Sequence, residues 1–104
     1  MKLPSKRIEV NGLITDLAAP TSLKRGYSVD WLRNAIGGGY FTITALNGQC
    51  IEPLLTELGT YDDYFIVVDE DGLDKQLPNN PIATVVAGTR IVGIALIIPR
   101  AYLQ

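Results

Sequence analysis

Apolar and polar positions along this chain fall into short blocks separated by glycine-bearing turns. Arg7-Ile8-Glu9-Val10 alternates with period two, Asn11-Gly12 interrupts it, and Leu13-Ile14-Thr15 resumes it. This predicts a hairpin, because Asn-Gly readily supplies the two positive φ angles of a two-residue turn. Ala18 to Gly26, which contains Pro20, reads as a connecting loop. From Ser28 to Ile36 the period changes: Val29, Leu32, Ala35 and Ile36 share one helical face. Ser28 is placed to cap that helix, Asp30 sits in its first turn, and Gly37 supplies the left-handed residue after its end.

The pattern then returns to period two. Tyr40 to Leu46 predicts a strand with Phe41, Ile43 and Ala45 on one side and Tyr40, Thr42, Thr44 and Leu46 on the other. A second Asn-Gly pair, Asn47-Gly48, leads into Gln49-Cys50-Ile51-Glu52, so a second hairpin is expected there. Pro53 to Gly59 reads as one helical turn or a structured loop. Tyr64-Phe65-Ile66-Val67-Val68 is the clearest strand and is expected to be central, ending in the turn Asp69-Glu70-Asp71-Gly72. Asn80-Pro81 and Gly88 frame a helix over 81–87, although Ile82, Thr84, Val85 and Val86 are weak helix formers. Arg90 to Ile98 is nearly all apolar, which predicts a final strand buried on both faces and stopped by Pro99.

These elements make an α+β fold: one small domain over residues 1–104, with five to six mostly antiparallel strands and one or two short helices on one face. An apolar fraction of 47% against 19% charged residues fits such a globule rather than a disordered chain. The N-terminal hairpin occupies residues 1–16 and the remaining core 28–98. The longest apolar run, Ile91 to Ile98, is too short to span a bilayer as a helix, and Met1 to Arg7 has no apolar stretch behind it. A soluble, cytoplasmic protein without a secretory leader is therefore expected.

Composition narrows the chemistry. The chain has no histidine and one cysteine, Cys50. Ser-His-Asp and Cys-His catalysis are thereby excluded, as are an internal disulfide and a Cys₄ or Cys₂His₂ zinc site. Cys50, between Gln49 and Ile51, reads as a small strand residue. The net charge of −2 argues against nucleic acid, whose binding draws on a surplus of positive charge. The charge is also uneven. Lys2, Lys6, Arg7, Lys24, Arg25 and Arg33 gather early, whereas Glu52, Glu57, Asp62, Asp63, Asp69, Glu70, Asp71 and Asp74 form a base-free acidic stretch.

Three motifs invite functional readings. Gly37-Gly38-Gly39 lacks the strand–glycine–helix order and lysine of a phosphate loop, yet with Tyr40 it would let a ligand approach the backbone. Gly37, Gly38, Gly39, Tyr40, Lys24 and Arg25 are thus the candidate residues for a small anionic ligand. Asp69-Glu70-Asp71-Gly72-Leu73-Asp74 misses the glycine and glutamate positions of a calcium loop and reads as a turn, so no metal site is expected. Tyr27, Trp31, Tyr40, Tyr61, Tyr64 and Tyr102, with Arg33 and Arg90, belong to the types enriched at interfaces or, more simply, at the rim of a core. Asp62, Asp63, Trp31 and Tyr64 are the candidate partner-binding residues.

Four segments carry a resemblance. Trp31-Leu32-Arg33-Asn34-Ala35-Ile36-Gly37-Gly38-Gly39-Tyr40 is similar to a helix entering a "V-G-G-Y-I-E" stretch. Phe65-Ile66-Val67-Val68-Asp69-Glu70-Asp71-Gly72-Leu73 is similar to a strand running into "N/D-E-E-G". Leu77-Pro78-Asn79-Asn80-Pro81-Ile82-Ala83-Thr84 resembles "L-P-x-N-x-x-A-T", and Arg90-Ile91-Val92-Gly93-Ile94-Ala95 resembles "I-V-G-x-A". In that order they resemble a family of small phage, plasmid and bacterial proteins catalogued only as a domain of unknown function (family 3846 of that catalogue). Gly39, Phe41 and Thr42 depart from its pattern. The resemblance implies a mobile-element accessory protein, in the host cytoplasm if phage-encoded, that engages a host protein or a small signalling molecule. It implies no catalytic residue and no cofactor.

The leading expectation is therefore a non-enzymatic binding module that binds or inhibits a host component. The alternatives are a homo-oligomer sequestering a nucleotide-like ligand and an enzyme working without histidine.

Overall fold

A computed structural model describes residues 4–22, 24–48 and 64–103. Asn11-Gly12 does form a turn between β1 (Ser5–Ile8) and β2 (Ile14–Leu17), but not the expected two-residue one. Gly12 N–H donates to Glu9 C=O (2.9 Å) and Glu9 N–H to Leu13 C=O (2.9 Å), which closes a three-residue loop. Only Gly12 takes positive φ (92°); the Asn11 side chain instead accepts the Leu13 N–H at 2.9 Å. This is the type I turn with a glycine bulge, in which one left-handed residue suffices.

The next elements follow their signals closely. Helix α1 spans Val29–Ala35, and the Ser28 hydroxyl accepts the Trp31 N–H at 3.0 Å. Gly37 N–H donates to Asn34 C=O and Gly38 N–H to Arg33 C=O, with φ of 103° at Gly37. That pair is the Schellman ending, which satisfies two terminal carbonyls. Strand β3 (Phe41–Ala45) runs antiparallel to β4 (Tyr64–Asp69), pairing Phe41 with Asp69 and Ala45 with Phe65. Helix α2 (Pro81–Ala87) has the expected bounds, with Gly88 left-handed at φ 78°.

Strand β5 (Ala95–Pro99) starts later than its apolar run does. Gly93 turns to φ 76°, and a Cβ there would meet Leu77 Cδ1 at 2.8 Å. The chain is bent by this close approach, so residues 90–94 stay out of the strand apart from one bridge between Asn79 and Val92. A short 3₁₀ helix, Arg100–Tyr102, follows Pro99.

The α+β expectation holds as a five-stranded, wholly antiparallel sheet in the order β2-β1-β5-β4-β3, with β5 at the centre and β4 beside it. One detail is corrected: the helices lie on opposite faces of the sheet. Ile66, Val68, Ala95 and Ile97 pack with Ala83, Val86 and Ala87 of α2. Val67, Leu96 and Ile98 point the other way and pack with Leu32 of α1 and with Ile36, Tyr27 and Tyr102. Two strands apolar on both faces need cover on both, since each buried aliphatic side chain contributes about 1.5–3 kcal/mol only when shielded from water. Val29, expected on the buried stripe of α1, is 61% exposed because it stands in the first turn, outside this contact.

The Asn47-Gly48 pair reaches the end of α2. Asn47 N–H donates to Ala87 C=O (3.3 Å) and Gly48 N–H to Val86 C=O (2.9 Å), so the pair caps the C-terminus of α2. The partner strand expected at 49–52, the segment 53–59, Cys50, Tyr61, Asp62 and Asp63 lie outside the described residues. Among the described residues, no helix is long and apolar enough to cross a membrane.

Candidate functional site

The glycine run is a junction rather than an open cradle. The N–H groups of Gly37 and Gly38 are already bonded to the last carbonyls of α1. Arg33 Nε donates to Gly39 C=O at 2.7 Å, and the same guanidinium lies 5.0 Å from the Tyr40 ring centre. Gly39 takes a positive φ of 82°, which favours glycine, and the tip of the Lys75 side chain lies beside it. Lys75 is itself held by the buried Asp69 carboxylate (2.8 Å), whose other oxygen accepts the Asp71 N–H (2.8 Å). The carboxylate of the calcium-like turn thus organises its own loop. Among the described residues, no three Asp, Glu or Cys side chains gather as a metal would need.

Tyr40 emerges from this junction. Its carbonyl accepts the Glu70 N–H at 3.0 Å and Arg33 lies against its ring, yet Tyr40 is 64% exposed. Val29 and Arg33, four residues apart on α1, are neighbours on that helix surface. Ile43, half exposed, faces the α1 side of the sheet, opposite Val67 in register.

Lys24 and Arg25 do not join the glycine run. Arg25 lines a separate cleft of about 550 Å³ between the 18–28 loop and the start of α1, together with Trp31. Lys24 is exposed on the same loop. Trp31, proposed for partner contact, stacks on Tyr27 with ring centres 4.0 Å apart and planes 15° from parallel. Tyr64, proposed for the same role, is 3% exposed within the α2-side core. Its place as the first residue of an inner strand directs the ring inward, so it presents no side chain to a partner. The other two partner candidates, Asp62 and Asp63, fall outside the described residues.

Tyr27 anchors the α1 side. Its hydroxyl donates to Ala18 C=O (2.6 Å) and meets the Ser5 hydroxyl at 3.0 Å, while its ring makes an edge contact with Tyr102 at 5.8 Å. Burial pushes its phenol above the ordinary value and the neighbouring Tyr102 adds to this, whereas the Ser5 hydrogen bond pulls it down. Sequence reasoning placed Tyr27 at a core rim but had no means of pairing it with residues 5, 18 and 102.

It also read Asn80 only as a cap. Asn80 is fully buried: its Oδ1 accepts the Ala83 N–H (3.1 Å) and its Nδ2 donates to the carbonyls of Ile8 (3.0 Å) and Gly93 (2.9 Å). A second cleft, about 370 Å³, lies on the α2 side between β3 and residues 89–92 and is lined by Thr42, Thr44, Asp69, Glu70 and Arg90. Arg90 there donates twice to Asn79 Oδ1, at 3.1 and 3.2 Å.

No family model matches the chain, and no curated protein or solved structure is significantly similar to it.

Proposed function

We propose that this domain is a non-enzymatic binding module that docks a protein partner through the α1–β3 junction. The observation that supports this reading is the Tyr40 ring, exposed to water with the Arg33 guanidinium over it, on a backbone pinned by the Glu70 N–H to the Tyr40 carbonyl. A fixed, exposed aromatic beside an arginine is the residue combination that dominates protein interfaces, and its fixed pose lowers the ordering cost of association. Val29 on α1 and Ile43 on the α1 face of β3 are exposed as well. The four motifs that resemble the phage and plasmid family include this junction, which favours a mobile-element accessory factor acting on a host component.

The glycine run offers less to a nucleotide-like ligand, because two of its N–H groups are committed to α1 and its carbonyl at Gly39 to Arg33. The reading is tested by quantitative capture from host lysate with the wild-type chain and with Tyr40→Ala and Arg33→Ala. A protein retained by the wild type and lost from both variants supports it. Equal retention by all three chains, or substrate turnover by the purified protein in a metabolite screen, defeats it.

A further inference from the structure

The cleft between the 18–28 loop and α1 is built differently from the Tyr40 surface. One wall is the Trp31 indole, immobilised by its stack on Tyr27, which is in turn fixed by Ala18, Ser5 and Tyr102. The opposite rim is a closed turn: Gly26 N–H donates to Ser22 C=O at 2.8 Å and Arg25 N–H to the Ser22 hydroxyl at 3.3 Å. That turn is locked further, because Tyr27 N–H donates to Tyr102 C=O at 2.9 Å and Gly26 packs directly on the Tyr102 carbonyl. Both sides of the cleft are therefore positioned before any ligand arrives.

The lining contains one base, Arg25, and no acid. Among the described residues, neither the Arg25 guanidinium nor the Trp31 indole N–H makes a hydrogen bond or ion pair. Lys24 adds positive charge beside the rim. An aromatic wall takes a flat ring by stacking, and a guanidinium takes a carboxylate or phosphate through two parallel hydrogen bonds. The volume of about 550 Å³ suits a small molecule.

We propose that this cleft binds a small planar ring that carries a carboxylate or phosphate group, with the ring against Trp31 and the anion on Arg25. The site is independent of the Tyr40 surface, and its test does not involve that residue. Trp31 is the single tryptophan of the chain, so indole fluorescence reports this cleft alone.

The experiment is a fluorescence titration of the wild-type chain and of Arg25→Gln with four probes: adenosine monophosphate, nicotinate, uncharged adenosine and inorganic phosphate. The expected result is a saturable change with at least one ring-bearing anion, at least about tenfold weaker with adenosine or phosphate alone, and weakened about tenfold by Arg25→Gln, the size of a lost charge-assisted contact. Which of the two ring-bearing anions binds tells phosphate from carboxylate. Arg25 is exposed, so the variant should fold, and an unchanged near-ultraviolet circular dichroism spectrum confirms it. Three results would overturn the proposal: no saturable change with any probe up to ~10 mM, indifference to Arg25→Gln, or a Trp31 signal that follows protein concentration without ligand, which would make a second copy the occupant.

Discussion

The two helices have the same length and the same signals at their ends, yet they are fastened in opposite ways. Each spans seven residues, is preceded by a capping side chain and is followed by a left-handed glycine. At α1 the cap is the exposed Ser28, and nothing lies within 4 Å of where a Cβ on Gly37 would stand. At α2 the cap is the wholly buried Asn80, and Gly88 lies against Asn47, where a Cβ would come within 3.0 Å of backbone. The ends of α1 are local arrangements facing water. Those of α2 are joints, tying β1, the bend at Gly93 and the end of β3 into one unit. Identical capping chemistry thus carries different energy according to what else the capping group holds.

Mutations sharpen the contrast. Asn80→Ala should have the largest effect, about 3–4 kcal/mol in chemical denaturation, since it removes a cap together with the buried side-chain donor to the Ile8 and Gly93 carbonyls. A loss no greater than that of Ser28→Ala would abolish the distinction between joint and cap. Gly48→Ala comes next, at about 2–3 kcal/mol, because its methyl would land on the Val85 carbonyl behind α2 and force the two segments apart. Gly37→Val should cost about 1–2 kcal/mol in the same assay, from backbone strain alone, because the space around it is open. Ser28→Ala should cost about 1 kcal/mol, the ordinary value of a lost N-cap.

The same comparison has a pH-dependent form on the α1 side. The Tyr27 phenol is raised in the folded chain, so its contribution to stability is complete below the unfolded value of about 10 and disappears as the pH climbs through the folded one. Thermal unfolding followed from pH 8 to 11 should show a decline above about pH 10 that is reduced in Tyr27→Phe. A parallel decline in both proteins would remove Tyr27 as its source.

Much of the fold was legible because the relevant signals were local. Ser28 and Gly37 bound α1, and Asn80, Pro81 and Gly88 overrode four β-branched or weak helix formers to bound α2. The fate of the Asn-Gly pairs was not legible. Gly12 closes a hairpin, and Gly48 N–H also meets the Val86 carbonyl at the end of α2, a contact that nothing near Asn47 marks. The start of β5 was hidden for a similar reason, since the bend at Gly93 answers to Leu77 rather than to its own neighbours.

The opposite placement of the helices did leave a trace. Ile66-Val67-Val68 and Leu96-Ile97-Ile98 are apolar at consecutive positions, a run that makes sense only if both faces of the sheet are covered. Of the candidate sites, Arg25 and Trp31 meet in one cleft and Tyr40 stands on a separate surface. Their types were readable, but their grouping depends on the 18–28 loop, which has no periodic pattern to follow.

The strand order has a consequence for the way this chain comes together in time. The β1–β2 hairpin is complete once residue 17 has emerged, yet Ile8 has no cross-strand neighbour on its other side until Ala95 is made. Closing that gap exacts the entropy of a loop of nearly the whole domain before any of its contacts respond. The early hairpin must therefore wait, its apolar side unshielded, until the last strand slides between it and β4. Assembly should be slow, with the arrival of β5 as the event that joins the hairpin to the β3–β4 pair.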